Sequence, residues 1–146
     1  MNAKERQFVD TNILVYAQDV SAGRKREVAS RLVDELWRAR AGCLSTQVLQ
    51  EFYVTVTRKA PRPLSGAEAF SVVAELATWH IHTPGIADVL DAISAHQRFH
   101  ISYWDALILR SAAELGCAVL WSEDLNAGQT YGRVTVRNPF AEPDLA

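Results

Sequence analysis

Short apolar segments alternate with longer amphipathic ones along the chain, and this alternation limits the possible folds more than any other feature. The apolar segments 7–10, 43–44, 118–121 and 134–137 have the length of strands, and 80–82 is a further short strand candidate. Between them, apolar residues recur every three or four positions, as on one face of a helix. Strands that are mostly apolar and separated by helices predict a three-layer α/β/α domain, with a mainly parallel sheet of about four to five strands.

Five helices are predicted. Four cover residues 24–41, 65–79, 83–99 and 102–116, and the other begins at residue 45 or 46 and ends before the prolines at 61 and 63. Gly42 is predicted to cap the first of these at its C-terminus, because glycine readily adopts the left-handed conformation. Ser65 and Glu68 have the spacing of a capping box. Thr83 precedes Pro84 and is predicted to be the N-cap of the fourth helix. A further apolar run, 13–17, follows the first strand.

The length and composition fit one domain. A chain of 146 residues with 49% hydrophobic residues can bury a single core, so we expect one domain over residues 1–146. Residues 1–7 are polar, and no apolar run approaches the roughly 18 residues of a membrane span, so we expect a cytoplasmic protein with no membrane partner. Cys43 and Cys117 lie in apolar stretches and are predicted to be buried, reduced thiols.

Four acidic residues are candidates for a common site. Asp10 follows the first strand, Asp124 follows strand 118–121, and Asp105 lies in the first turn of a helix. Ligands bind outside the carboxyl ends of the strands of an open parallel sheet. Glu51 lies within a helix among apolar residues, where an unpaired carboxylate is costly to bury. Together these residues predict an acidic cluster at one edge of the sheet.

Such a cluster suits a hard divalent cation. Carboxylate oxygens that leave room for water favour Mg²⁺, with Mn²⁺ as a possible substitute, and do not favour Zn²⁺. A cation of this kind activates water and neutralises the charge of a phosphodiester. The pattern therefore indicates metal-dependent phosphodiester chemistry.

Each acidic residue also has an ordinary structural explanation. Asp10 could begin a turn, and Asp105 could belong to a capping box with Ser102. Asp124 could lie in a surface loop, and Glu51 could point to solvent from an amphipathic helix. Only the combination of the four favours a functional site.

Four segments in order along the chain resemble the acidic motifs of PIN-domain ribonucleases. They read VDTNILVY at 9–16, STQVLQEF at 45–52, SYWDA at 102–106 and SEDL at 122–125. The resemblance covers nearly the whole chain, and the compact length is similar to that of VapC-type toxins. Those toxins cleave RNA, are held inactive by a cognate antitoxin and usually dimerise.

The resemblance implies a role for each matched residue. It implies that the catalytic residues and Mg²⁺ ligands are Asp10, Glu51, Asp105 and Asp124, and that supporting polar contacts come from Thr11, Asn12 and Ser122. Glu123 adjoins Asp124, and the spacing from Ser122 favours Asp124 as the ligand. The implied partners are an RNA substrate, a cognate antitoxin and a second copy of the chain in a homodimer.

Other functions remain open at this stage. The main alternative is a noncatalytic PIN-fold module that binds RNA or protein, and a DNA nuclease is hard to exclude. A phosphatase or receiver domain fits poorly, since Asn12 stands where a haloacid-dehalogenase-type phosphatase needs a second aspartate. Dinucleotide binding is disfavoured because no glycine-rich turn follows the first strand.

The remaining polar and aromatic residues give weaker signals. The net charge is −2, but without the four proposed ligands thirteen acidic residues remain against fifteen basic ones, so net charge neither supports nor excludes a nucleic-acid partner.

The basic groups near Arg24 and Arg58 are expected at solvated helix ends, with contact to RNA phosphates as a hypothesis. The histidines are assigned no role. Packing within the core or between subunits, and not the stacking of nucleic-acid bases, is expected for the aromatic residues Trp37, Phe52, Tyr53, Trp79 and Trp104.

Overall fold

Six strands form one sheet in the computed structural model, which describes residues 5–142. The strands are β1 (Gln7–Val9), β2 (Gly42–Ser45), β3 (His80–His82), β4 (Val119–Trp121), β5 (Thr130–Tyr131) and β6 (Val134–Arg137). Their order across the sheet is β3-β2-β1-β4-β6-β5. All neighbouring pairs are parallel except β5 and β6. The sheet is therefore mainly parallel, as the sequence predicts, and β5 is an additional strand of only two residues.

In the described part of the chain, six α-helices connect and cover the strands. They are α1 (Thr11–Gln18), α2 (Arg24–Ala39), α3 (Thr46–Val54), α4 (Gly66–Leu76), α5 (Ile86–Phe99) and α6 (Tyr103–Glu114). A π-helical turn, Thr55–Lys59, extends α3, and a 3-10 turn, Pro139–Ala141, follows β6. Within residues 5–142, no helix is both long enough and apolar enough to cross a lipid bilayer.

The helices form two groups that pack on the sheet. Helices α1, α2 and α3 pack together, with α4 beside α3, while α5 packs on α6. Helices α2 and α3 contact β2, and α6 contacts β2, β4 and β6. The three-layer α/β/α arrangement predicted from the sequence is confirmed.

The central strand β1 explains why the predicted strands are so apolar. Phe8 is paired with Cys43 on one side and Leu120 on the other, and Phe8 and Val9 are fully buried. A strand that is covered on both faces needs apolar side chains in both directions. Cys43 and Cys117 are buried free thiols, as predicted.

Gly42 has a different role from the predicted helix cap. Helix α2 ends at Ala39, and Arg40 adopts the left-handed conformation with φ of 54°. Gly42 instead lies in β2, where an added Cβ would be 2.3 Å from the ring of Trp79. The glycine is needed because an aromatic ring packs directly against the strand backbone.

Two further boundaries differ from the prediction. Helix α5 begins at Ile86, and its N-cap is Gly85 instead of Thr83. Asp88 fixes this start, since its Oδ2 accepts a hydrogen bond of 2.8 Å from the Gly85 N–H. The apolar run 13–17 is part of α1, which begins directly after Asp10.

Candidate functional site

A cleft of about 610 Å³ contains all four acidic residues that the sequence predicts for a site. Its lining includes Asp10, Glu51, Asp105 and Asp124. Asp10 directly follows β1 and Asp124 follows β4, two strands that are parallel neighbours. Glu51 comes from α3 and Asp105 from the first turn of α6. The cleft therefore lies at the carboxyl edge of the sheet, where the topology predicts it.

Asp10 is buried at the base of this site, and within residues 5–142 it has no cationic neighbour at hydrogen-bonding distance. It is the N-cap of α1, and its residue surface is only 4% exposed. Its Oδ1 accepts a hydrogen bond of 2.7 Å from the Thr11 N–H, and its Oδ2 accepts one of 2.7 Å from the Ser122 hydroxyl. Both donors are neutral, so the structure orients the carboxylate without neutralising its charge.

This environment raises the pKa of Asp10 to about 7. Burial is the main cause, and the negative charges of Asp105 and Asp124 add to it, while the hydrogen bonds from Ser122 and Thr11 lower the pKa. Desolvation disfavours a charged carboxylate, and like charges nearby disfavour it further. A cation in the cleft would favour the charged carboxylate and so lower the pKa of Asp10.

Asp105 is affected in the same way but less strongly. Burial and the charge of Asp124 raise its pKa, and a hydrogen bond with Ser102 opposes the shift. The Ser102 hydroxyl also accepts a hydrogen bond of 3.0 Å from the Asp105 N–H and so caps α6. Asp105 therefore takes part in the N-terminal cap of α6 through its N–H and also lines the cleft.

The three predicted supporting residues all contact the acidic groups or their loops. The Thr11 hydroxyl donates a 2.8 Å hydrogen bond to Glu51 Oε1 and so connects α1 with α3. The Ser122 hydroxyl accepts a 3.1 Å hydrogen bond from the Asp124 N–H. Asn12 Oδ1 accepts a 3.4 Å hydrogen bond from the Glu123 N–H. These contacts fix Asp10, Glu51 and the loop after β4 relative to one another.

Glu123 and Asp124 point to different surroundings. Glu123 forms an ion pair with Lys25 and accepts a 2.7 Å hydrogen bond from the Tyr16 hydroxyl. Asp124 lines the cleft, and its charge contributes to the raised pKa values of Asp10 and Asp105. The structure therefore places Asp124, and not Glu123, with the other acidic residues.

The donor set fits a hydrated divalent ion better than a closed metal cage. Within the described residues, no three His, Cys, Asp or Glu side chains converge closely enough to hold one ion. Mg²⁺ usually retains several water ligands and binds one or two carboxylates together with substrate phosphate. The buried, uncompensated carboxylate of Asp10 beside two further acids fits that mode of binding.

Several cleft residues were not predicted from the sequence. Lys59, Trp104, Gln50 and Thr55 line the cleft together with the acidic residues. Lys59 belongs to a basic group noted in the sequence, but its position depends on the π-helical turn at the end of α3. None of the histidines lines the cleft. His82 instead shares a 2.9 Å hydrogen bond with the Ser111 hydroxyl.

Comparison with known families identifies the fold. The family model described as the PIN domain matches residues 8–132. The chain therefore belongs to the PIN-domain family. No curated protein matches the chain.

Solved structures with this fold include toxins and toxin-antitoxin complexes. The sarcin-ricin-loop-cleaving toxin VapC20 of Mycobacterium tuberculosis is 19% identical, with a TM-score of 0.59, covering 81% of this chain and 91% of that one. A chain of a toxin-antitoxin complex from Klebsiella pneumoniae is similar at 18% identity, with a TM-score of 0.64, covering 91% of this chain and 97% of that one. VapBC2 from Rickettsia felis, bound to a promoter DNA fragment, gives 16% identity, a TM-score of 0.63 and coverage of 90% and 97%. At these identities the likeness concerns the fold.

Proposed function

We propose that the chain is a Mg²⁺-dependent endoribonuclease that acts as the toxin of a toxin-antitoxin pair. The observation that carries the proposal is the buried carboxylate of Asp10, which shares a cleft with Asp105 and Asp124 and has no cationic partner in the described part of the chain. PIN-family membership and the fold shared with an RNA-cleaving toxin support the same activity.

The residues that would hold the ion are Asp10, Glu51, Asp105 and Asp124, one or two of them directly and the others through its water ligands. Mn²⁺ would substitute for Mg²⁺. When bound, the ion supplies Lewis-acid activation of water and neutralises charge on the scissile phosphate. Ser122 and the Thr11 N–H keep the Asp10 carboxylate oriented toward the cleft, and the Thr11 hydroxyl holds Glu51. The protein thus contributes orientation and a concentrated negative charge.

The proposed partners follow from the similar structures. Toxin-antitoxin complexes are among them, some with DNA bound, so we propose a cognate antitoxin that inhibits this chain in the cytoplasm. A homodimer is proposed on the family resemblance. An antitoxin segment with a cationic side chain in the acidic cleft would inhibit by replacing the charge of the metal.

The test is cleavage of total cellular RNA by the purified chain, with single-stranded DNA as a second substrate. We expect RNA cleavage in Mg²⁺ or Mn²⁺ and none in EDTA. Asp10→Asn should lower the rate at least about 100-fold, the scale seen when a key electrostatic group is removed. Asp91→Asn is the matched control, because Asp91 is an exposed acid on α5 that does not line the cleft.

Two results would contradict the proposal. Equal cleavage by Asp10→Asn and the parent would show that the acidic cleft is not the active site. No cleavage by folded, antitoxin-free protein, together with normal growth of cells that express it, would favour the noncatalytic binding module.

A further inference from the structure

Trp104 stands out at the rim of the acidic cleft. It lines the cleft beside Asp105, and 61% of its surface is exposed. Trp121, by contrast, is buried, and Trp37 and Trp79 pack edge to face with ring centroids 5.5 Å apart. The packing role expected for the aromatic residues therefore does not account for Trp104.

The surroundings of Trp104 hold it in a defined position. Its carbonyl oxygen accepts a 3.2 Å hydrogen bond from the side-chain amide of Gln47, which is itself buried. Its ring lies edge to face with Tyr103, with centroids 5.0 Å apart. It also follows the Ser102 cap in the first turn of α6. A pre-organised aromatic side chain loses little conformational entropy when a ligand binds.

Lys59 supplies a cation to the same cleft. It is exposed at the end of the π-helical turn, and no carboxylate of the described residues forms an ion pair with it. Lys25, by comparison, is paired with Glu123. Lys59 is therefore available to a ligand that carries negative charge.

An exposed aromatic ring and a free cation around an acidic cleft suit single-stranded nucleic acid. Unpaired bases stack on aromatic side chains, while lysines contact the phosphates between them. The bases of a regular RNA duplex are stacked on one another and cannot supply such a face. The combination favours a single-stranded segment or loop.

We propose that Trp104 stacks on an unpaired base next to the cleaved phosphate and that Lys59 binds a neighbouring phosphate. The proposal deepens the proposed ribonuclease function and rests on it for the identity of the ligand. It makes Trp104 a binding residue that places single-stranded RNA across the carboxylates.

The test measures binding of a ten-nucleotide single-stranded RNA by fluorescence anisotropy in Mg²⁺, with Asp10→Asn as the parent so that the RNA stays intact. Trp104→Ala should weaken binding about 5- to 100-fold, the range for loss of one stacked base, and Trp104→Phe should retain most of the affinity. Phe70→Ala is the matched control, since Phe70 is 71% exposed and does not line the cleft.

Two further measurements separate stacking from charge. An oligomer with abasic nucleotides should bind the parent more weakly but should bind Trp104→Ala no more weakly than the intact oligomer does. Lys59→Gln should reduce the slope of log affinity against log salt concentration by about 0.7, whereas Trp104→Ala should leave the slope unchanged.

The outcomes distinguish this proposal from the proposed function. If the chain with Asp10 intact cleaves RNA but Trp104→Ala binds as tightly as its parent, the stacking proposal is overturned and the nuclease stands. If no cleavage occurs but binding still depends on Trp104 and on the bases, the nuclease fails and the stacking of Trp104 on an RNA base stands as a binding contact. Failure to bind the oligomer, both by the Asp10→Asn parent in Mg²⁺ and by the chain with Asp10 intact in EDTA, overturns the stacking proposal.

Discussion

Asp10 and Asp88 are both buried aspartates near helix starts, but their surroundings differ in charge. Asp10 is 4% exposed and Asp88 is 8% exposed. Asp88 accepts a 2.8 Å hydrogen bond from Arg110 Nε, and His82 Nε2 lies 3.4 Å from its Oδ2. Among residues 5–142, the donors to Asp10 are Thr11 and Ser122, and both are neutral. One carboxylate is neutralised within the fold, and the other is not.

The pKa values of the two residues move in opposite directions. The backbone N–H of Gly85 and then Arg110 lower the pKa of Asp88, whereas burial raises that of Asp10 to about 7. A buried charge needs a partner, and Asp88 has that partner in the same chain. The comparison indicates that Asp88 stabilises the packing of α5 on α6. Under the proposed function, Asp10 receives its cation from outside the chain.

The largest expected effect on stability comes from removing the cation beside Asp88. Arg110→Met should lower the free energy of unfolding by about 2 to 3 kcal/mol, because it removes the guanidinium from a buried carboxylate that, within residues 5–142, keeps only the Gly85 N–H and His82 as neighbours. Arg110 also forms ion pairs with two further acids, since its Nη1 lies 3.0 Å from Asp91 Oδ2 and its Nη2 lies 3.1 Å from Glu114 Oε2. The substitution removes these two ion pairs too. Urea denaturation at pH 7 measures the change. A loss below about 0.5 kcal/mol would show that the ion pairs contribute little to the fold.

Neutralising Asp10 should stabilise the fold, whereas removing Arg110 beside Asp88 should destabilise it. In EDTA at pH 8, Asp10→Asn should raise the free energy of unfolding by about 1 to 3 kcal/mol, since it removes a buried charge that has no cationic partner among the described residues. The direction follows from proton linkage: the folded-state pKa of about 7 exceeds the model value of 3.8. Stability of the metal-free parent should therefore fall between about pH 4 and pH 7 and then level off. Urea denaturation at several pH values measures this slope.

The control for the pH profile is Asp88→Asn. Asp88 has a lowered pKa, so its contribution is present above the unfolded-state value and is lost as the pH falls through the folded-state value. Asp88→Asn should therefore destabilise the chain at pH 8. A destabilised Asp10→Asn variant, or one whose stability falls with pH as steeply as that of the parent, would contradict the assignment of Asp10.

The smallest effect is expected at the ion pair beside the cleft. Lys25→Met should change the free energy of unfolding by less than about 1 kcal/mol, because exposed ion pairs contribute little. The Lys25 side chain is 44% exposed, and its partner is Glu123. Chemical denaturation at low and high salt measures the difference. A loss as large as that of Arg110→Met would contradict the distinction between surface and buried pairs.

The sequence predicts the acidic residues of the cleft, but it does not predict the residues at the rim of the cleft. Strand β1 and the placement of Asp10, Asp105 and Asp124 follow from apolar patterning and from the geometry of parallel sheets. The positions of Lys59 and Trp104 could not be predicted in this way. The first depends on a π-helical turn, and the second on which face of α6 remains uncovered.

The role of Gly42 in the fold could not be predicted from the sequence either. Its sequence context after an amphipathic helix is typical of a helix cap, and only the packing of Trp79 against β2 reveals the reason for the glycine. Such close approaches join segments that are distant in sequence. Local patterns therefore predict the elements and miss the contacts between them.

The most direct test of the central claim is a Mg²⁺ titration of the unfolding free energy at pH 8 for the parent, Asp10→Asn and Asp91→Asn. With a dissociation constant of about 1 mM, 10 mM Mg²⁺ should stabilise the parent by about 1.4 kcal/mol. The account predicts this gain in the parent and in Asp91→Asn, and its loss in Asp10→Asn. Equal stabilisation of all three proteins, or none in the parent, would contradict the claim that Asp10 receives its counter-charge from a divalent cation.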